Sequence, residues 1–151
     1  PPRFAYVAKA ELRQSPFSRL PLQQLRALFV ERFDAEKGIE DARRGTHSVA
    51  QGDSLVVFAE GTFRRAAGLL PFRLGAFAMA ARAGLPVVPL ALRGSRSLLR
   101  DKRYLPHRSA VTLTVGDPLA PGGPAFADAV ALRDAARAWM LAHVAEPDLA
   151  S

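Results

Sequence analysis

The sequence predicts an α/β fold, a mixed and largely parallel sheet flanked by helices, in a single domain spanning residues 1–151. Three observations predict it. Short apolar runs alternate with stretches of helical periodicity, which favours an α/β sheet over a bundle or a sandwich. Leu55 to Phe58 is a continuous apolar run ending at a Glu60-Gly61-Thr62 turn, as expected of a buried parallel strand. Leu70, Leu74, Phe77, Ala78, Ala81 and Leu85 then recur at spacings of three and four, marking one apolar helix face before the next strand-like run.

Taken in order, Phe4 to Ala8 reads as a strand and Leu22 to Leu28 as a short helix, opened by Pro21 near its first turn. Phe29 to Phe33 reads as a second strand. Residues 37–50 read as a polar helix that Gly45 and Thr46 weaken. The apolar helix after the Glu-Gly-Thr turn should stop at Gly84. Pro86 to Leu92 is the next strand, and Pro89 within it calls for an edge position or a bulge. Residues 93–108 form a basic loop with a short turn near Ser97 to Arg100. Val111 to Val115 alternates Val, Leu, Val with Thr112 and Thr114, which predicts a strand with its aliphatic face buried. A last helix over about 125–144 would pack through Ala129, Leu132, Ala136, Trp139 and Met140.

Composition narrows the function classes. The chain has 151 residues, 49% of them apolar, enough to bury a core and too apolar for disorder. Its formal charge is +7 and the surplus is local: residues 64–108 hold ten basic side chains and one acid, Asp101. Such a patch suits phosphates on a small substrate, a membrane surface or a nucleic acid. There is no cysteine, so these residues offer no disulfide, thiolate metal site or thiol nucleophile, which fits a reducing compartment. The most apolar stretch, 74–92, is interrupted by Arg82, Gly84, Pro86 and Pro89 and should not span a bilayer. Arg3, Lys9 and Glu11 break up the first residues, so no signal peptide is expected there.

The chemistry points to the turn after the Leu55 run, because open α/β sheets place ligands beyond the carboxyl ends of their strands. Gly61 lets backbone approach a ligand, Thr62 offers a hydroxyl and an amide, and Arg64 with Arg65 can bind phosphate through forked donors. Glu60 would repel a phosphate. It can instead orient an arginine or accept a hydrogen bond from a substrate hydroxyl.

These residues resemble the glycerolipid acyltransferases of the lysophosphatidic acid acyltransferase type, a family with four short sequence blocks. Phe58-Ala59-Glu60-Gly61-Thr62-Phe63 is similar to the third block, Phe-Pro-Glu-Gly-Thr-Arg, and Leu85-Pro86-Val87-Val88-Pro89-Leu90 to the fourth, Val-Pro-Val-Val-Pro-Val. Val30-Glu31-Arg32 loosely resembles the second block, an apolar strand ending Ile-Asp-Arg. Ala8-Lys9-Ala10-Glu11-Leu12 resembles an Ala-Lys-x-Glu-Leu segment found between the first and second. The resemblance covers about residues 4–120, in the family's order. Ala59 stands in place of the proline and Phe63 in place of the arginine, so the guanidinium would come from Arg64 or Arg65.

The resemblance implies a glycerolphosphate acyltransferase-like fold, here truncated at its N-terminal side. It implies acyl transfer from coenzyme A or acyl carrier protein to the hydroxyl of a lysophospholipid or glycerol phosphate, with no other cofactor and no metal. Arg32, Arg64 and Arg65 would hold the phosphate, Glu60 and Gly61 would place the glycerol, Thr62 would complete the turn, and Lys9 would stand at the mouth. Pro86 and Pro89 would shape the strand and a neighbouring acyl groove.

The family's first block, His-x4-Asp, supplies its general base, and these 151 residues have no counterpart ahead of the Ala-Lys-x-Glu-Leu segment. His143 and Asp148 have the right offset but lie at the far end of the chain and straddle Pro147, so they are rejected as that pair. No catalytic residue is therefore assigned, and the residues in hand are expected to be inactive alone. The basic loop, interleaved with Leu98, Leu99 and Tyr104, suits an anionic bilayer or an acidic carrier. The expected location is cytoplasmic, peripheral to the inner face of the cell membrane. The alternatives are a non-enzymatic module for anionic lipid or phosphate, and nucleic-acid binding, which the lack of a reading motif disfavours.

Overall fold

A computed structural model describes residues 3–9, 24, 27–30, 47, 51–62, 67–98 and 107–149. The chain packs as two compact units, residues 1–59 and 60–151.

The first unit is built on a parallel sheet of three strands, β1 (Arg3–Lys9), β2 (Leu28–Val30) and β3 (Asp53–Val56), in the order β2-β1-β3. β1 is central and pairs with each neighbour over a different half. Arg3 to Tyr6 run alongside Asp53 to Val56, and Val7 to Lys9 alongside Leu28 to Val30. Parallel pairing requires long crossovers, and the sequence between these strands is long enough to supply them. The Arg3 and Asp53 pair of the ladder is also an ion pair, Arg3 Nε to Asp53 Oδ1 at 3.0 Å, with the carboxylate buried.

β3 begins two residues before the predicted Leu55 and ends at Val56, because its ladder with β1 runs from the Arg3–Asp53 pair to the Tyr6–Val56 pair. Phe58, predicted as its last residue, is 71% exposed. Leu28, assigned to a helix from sequence, is instead the first residue of β2. Of the predicted polar helix 37–50 only His47 is described, in helical conformation; the rest lies outside the described residues, as do most of 22–27 and 31–33.

The second unit contains α1 (Gly75–Ala83), β4 (Leu90–Arg93), the single turn α2 (Ser95–Leu98), β5 (Thr112–Val115) and α3 (Phe126–Val144). α3 packs against α1 and β4. Its buried stripe of Ala129, Leu132 and Ala136 meets a core that includes Phe72, Phe77, Ala80, Ala81 and Ala91. Asp128 starts α3 by accepting the Ala125 amide at 3.1 Å, a carboxylate in the first turn where the helix dipole favours it.

α1 is shorter than the 3-4 periodicity implied. Leu70 precedes Pro71, whose ring disfavours helical geometry in the residue before it, so Leu70 packs into the core from outside the helix. The other end is as expected: Gly84 adopts left-handed geometry, and the amides of Gly84 and Leu85 return to the carbonyls of Ala81 and Ala80.

β4 and β5 form an antiparallel pair, with Leu90 opposite Val115 and Leu92 opposite Leu113. The predicted strand from Pro86 is interrupted. Val87 exchanges both backbone hydrogen bonds with Leu119 in an isolated bridge, and regular pairing resumes only at Leu90. Pro89 between them has no amide to donate, though its carbonyl accepts from Gly116 at 2.9 Å.

The burial of β5 is the reverse of the expectation. Val111, Leu113 and Val115 are 45%, 57% and 61% exposed, while Thr114 is half-buried. The reason is the helix on the other side. A Cβ on Gly116 would sit 2.7 Å from Trp139 Cε2 and 2.8 Å from Pro89 Cγ, so the face toward α3 accepts only small groups such as Ala91 and Gly116. The larger aliphatics are turned outward.

Candidate functional site

The Glu60-Gly61-Thr62 turn opens the second unit, four residues along the chain from the end of β3. Gly61 has φ 65°, a left-handed conformation that a side chain would disfavour, and this is the physical reason for glycine here. Glu60 and Gly61 are half-buried and Thr62 is exposed. The Glu60 carboxylate accepts the Leu70 amide through Oε2 at 2.9 Å. It thereby ties the two ends of the 60–70 segment together.

The far limb of that segment is fixed by residues the sequence did not single out. Leu69 pairs in parallel with Asp148, its amide donating to Pro147 O at 2.8 Å and its carbonyl accepting from the Leu149 amide at 3.0 Å. The Gly68 amide donates to Glu146 Oε2 at 2.8 Å. From α3, Arg137 donates to Leu69 O at 3.2 Å and forks onto both carboxylate oxygens of Asp148. Its guanidinium also lies 5.8 Å over the Phe72 ring, which is stacked on Phe77. The hydrogen bond to Asp148 is the main influence raising the Arg137 pKa above its ordinary value. Burial opposes it, and the charges of Asp148, Asp134 and Glu60 reinforce it.

Of the residues expected from sequence, the structure brings together Glu60, Gly61 and Thr62. Arg32, Arg64 and Arg65 lie outside the described residues, and Lys9 is described as the last backbone position of β1. Pro86 is exposed, and Pro89 is buried at the β4–β5 pair. His143 and Asp148 engage different partners. His143 Nδ1 donates to Trp139 O at 2.7 Å, and its ring stacks on that indole with centroids 4.0 Å apart. Asp148 is held by Arg137.

Arg93 and Arg108 are exposed; residues 99–106 of the basic loop lie outside the described residues. No cluster of His, Asp or Glu among the described residues could hold a metal ion, and none of their helices is long and apolar enough to cross a membrane.

Residues 1–93 match the family model described as Acyltransferase. The chain belongs to this family. Its relatives carry narrower names. A Caenorhabditis elegans protein provisionally named 1-acyl-sn-glycerol-3-phosphate acyltransferase is 28% identical over 99% of this chain and 54% of its own length. The 1-acyl-sn-glycerol-3-phosphate acyltransferase of Haemophilus influenzae is 28% identical over 81% of this chain and 50% of its own. The resemblance to lysophosphatidic acid-type acyltransferases drawn from the third and fourth blocks is thus borne out.

The α/β expectation is borne out as well. The crystal structure of the 1-acyl-sn-glycerophosphate acyltransferase PlsC from Thermotoga maritima superposes with a TM-score of 0.73 at 23% identity, covering 94% of this chain and 56% of that one. The chain spans about half the length of these family members.

Sequence reasoning missed Arg137 and the 146–149 segment. Arg137 reads as an ordinary helical arginine, and no local pattern links it to a backbone carbonyl 68 residues away.

Proposed function

We propose that these residues form the acceptor-phosphate half of a glycerolipid acyltransferase centre. The full reaction would move an acyl group from coenzyme A or acyl carrier protein to the hydroxyl of a lysophospholipid or glycerol phosphate. The observation that carries this reading is the left-handed Gly61 beside Glu60, in a segment whose ends are tied by the Glu60 carboxylate and which carries Arg64 and Arg65. Family membership and the names of the relatives support the chemistry.

In this reading Arg64 and Arg65, with Arg32, bind the phosphate through charge-assisted forked hydrogen bonds, and Lys9 adds charge at the mouth. Gly61 and Thr62 present backbone amides and a hydroxyl to the glycerol. Glu60 accepts from Leu70, so its main task is to hold the turn in shape. Deprotonation of the acceptor hydroxyl needs a positioned general base, and no residue of these 151 is assigned that role. The residues alone therefore bind the acceptor without acylating it.

Contact with the inner face of the cell membrane belongs to the same proposal. Leu90, Leu92, Leu113 and Val115 form an exposed aliphatic face on β4 and β5, flanked along the chain by exposed Val88 and Val111, with exposed Arg93 and Arg108 at one end of the pair.

Titration calorimetry with a short-chain lysophosphatidate tests the binding. Saturable binding should weaken at least tenfold in Arg64→Ala/Arg65→Ala, and equal affinity for the uncharged monoacylglycerol would refute a phosphate site. Thioester-dependent acylation by the 151-residue chain, unaffected by His143→Ala, would refute the proposal that these residues bind the acceptor without acylating it.

A further inference from the structure

A single peptide group in the second unit is held by charged side chains on both sides. The carbonyl of Leu69 accepts from Arg137 Nη2 at 3.2 Å and from the Leu149 amide at 3.0 Å. The amide of Leu70, across the same peptide bond, donates to Glu60 Oε2 at 2.9 Å. A cation on α3 and an anion in the Glu60-Gly61-Thr62 turn are thus joined through one peptide unit that resonance keeps planar. Leu69 and Leu70 are buried, and a low dielectric strengthens hydrogen bonds that polarise one another in series.

Arg137 is itself held in place. Both carboxylate oxygens of Asp148 take its guanidinium in a fork, and its central carbon lies 5.8 Å from the centroid of the Phe72 ring. The Glu60 charge is among those that raise the Arg137 pKa, so the two groups lie within electrostatic reach of each other.

At the other side of the peptide group the carboxylate has an oxygen to spare. The Leu70 amide engages Oε2, and among the described residues nothing donates to Oε1. Glu60 is half-buried and stands next to left-handed Gly61, where the missing side chain leaves room for a ligand. An ionised carboxylate oxygen accepts from a hydroxyl and repels a phosphate. Oε1 therefore suits the hydroxyl of an acceptor.

We infer that Arg137 is a positioning residue for Glu60: through the Leu69–Leu70 peptide it fixes Oε2 and so keeps Oε1 in place for the acceptor hydroxyl. The inference rests on the proposed acceptor site and concerns its hydroxyl contact alone; the phosphate contact does not enter it. Its physical basis is preorganisation: one hydrogen bond discriminates well between ligands only when its acceptor is held before the ligand arrives. Arg137 touches no substrate.

The test uses the 151-residue chain and a pair of probes, a short-chain 1-acyl lysophosphatidate and its 2-deoxy analogue, which differs only in lacking the free hydroxyl. Calorimetry gives the ratio of their affinities. Wild type should prefer the hydroxyl-bearing probe about tenfold, as one hydrogen bond to a charged group supports. Arg137→Lys keeps the charge but cannot fork onto Asp148 and reach Leu69 together, and Asp148→Asn weakens the fork. In both variants the ratio should fall to about threefold or less, while affinity for the deoxy analogue changes by less than about twofold. Glu60→Gln, which presents an amide donor in place of a charged acceptor, should lower the ratio as far. Adding Arg137→Lys to it should then lower the ratio no further, because the two residues act in series. Without ligand, the Leu70 amide should exchange faster in Arg137→Lys than in wild type.

An unchanged ratio in folded Arg137→Lys overturns the inference, as does an equal loss for both probes, which is what a merely structural role produces. Equal wild-type affinity for the two probes overturns it too and leaves the proposed phosphate contact standing. Failure of the wild-type chain to bind either probe overturns the proposed acceptor site. In that case unchanged Leu70 exchange in Arg137→Lys would separately overturn the hold on Glu60. Should Arg137→Lys fail to fold by circular dichroism, Asp148→Asn decides.

Discussion

Arg137 grips Asp148 through both ends of its guanidinium, eleven residues along the chain, and reaches the carbonyl of Leu69 with the same side chain. The arginine is largely covered and the aspartate about half exposed, at 14% and 45% of their side-chain areas. The pair therefore counts for more than a surface ion pair and less than a buried one. Arg137→Ala should cost about 2 kcal/mol, measured by urea unfolding, with the lost hydrogen bond to Leu69 O contributing.

The same pair makes a pH prediction. Arg137 is raised above its ordinary value by Asp148, so its contribution to stability is fully present below that value and is lost only as pH rises through the raised one. The stability difference between wild type and Arg137→Ala should stay constant from about pH 7 to pH 10. A difference that shrinks across that window would mean that a group other than this guanidinium controls it.

Glu60 is predicted to act through its acceptor oxygen more than its charge. Glu60→Gln keeps an oxygen for the Leu70 amide and should cost less than about 1 kcal/mol, while Glu60→Ala should cost about 1–3 kcal/mol by leaving a buried amide unpaired. Thermal melts of the two variants check the order.

Ala145 ends α3 in left-handed geometry, φ 54° and ψ 37°, and so turns the chain back toward Leu69. A Cβ makes that conformation costly by about 1 kcal/mol. Ala145→Gly should therefore raise the melting temperature, despite the added freedom of the unfolded chain. A lower melting temperature would show that the turn carries no such strain.

Gly116 packs against Trp139 and Pro89 with no room for a Cβ. Gly116→Ala should cost about 1–3 kcal/mol through overpacking and shift the Trp139 emission, which unfolding curves followed by fluorescence would detect.

The outward aliphatic face of β4 and β5 should matter to a membrane and little to the fold. Leu113→Ser, at a side chain 57% exposed, should change stability by less than about 0.5 kcal/mol yet reduce sedimentation with anionic vesicles severalfold. The same comparison against duplex DNA at physiological salt tests the expectation that nucleic acid is no partner, since purely electrostatic binding fades with salt.

How far the sequence could be read depends on the range of the forces that set each feature. The end of α1 at Gly84 and the extent of α3 were legible, because a left-handed cap and a 3-4 apolar stripe are local signals. The direction of β5 was not. Its alternation of Val and Leu with Thr marks two faces correctly, but which face is buried is decided by Trp139 on a later helix, which leaves room only for small groups.

The site divides in the same way. By itself the sequence determined the order of its short blocks, hence the family, and it determined the Glu60-Gly61-Thr62 turn, since only glycine takes the required φ at low cost. Only the tertiary structure decided that Glu60 spends its carboxylate on Leu70, and that Asp148 belongs with Arg137 while His143 turns to Trp139. Those partners are set by where α3 and the segment after it pack. Hydrogen bonds between residues far apart in the chain leave no periodic trace in it.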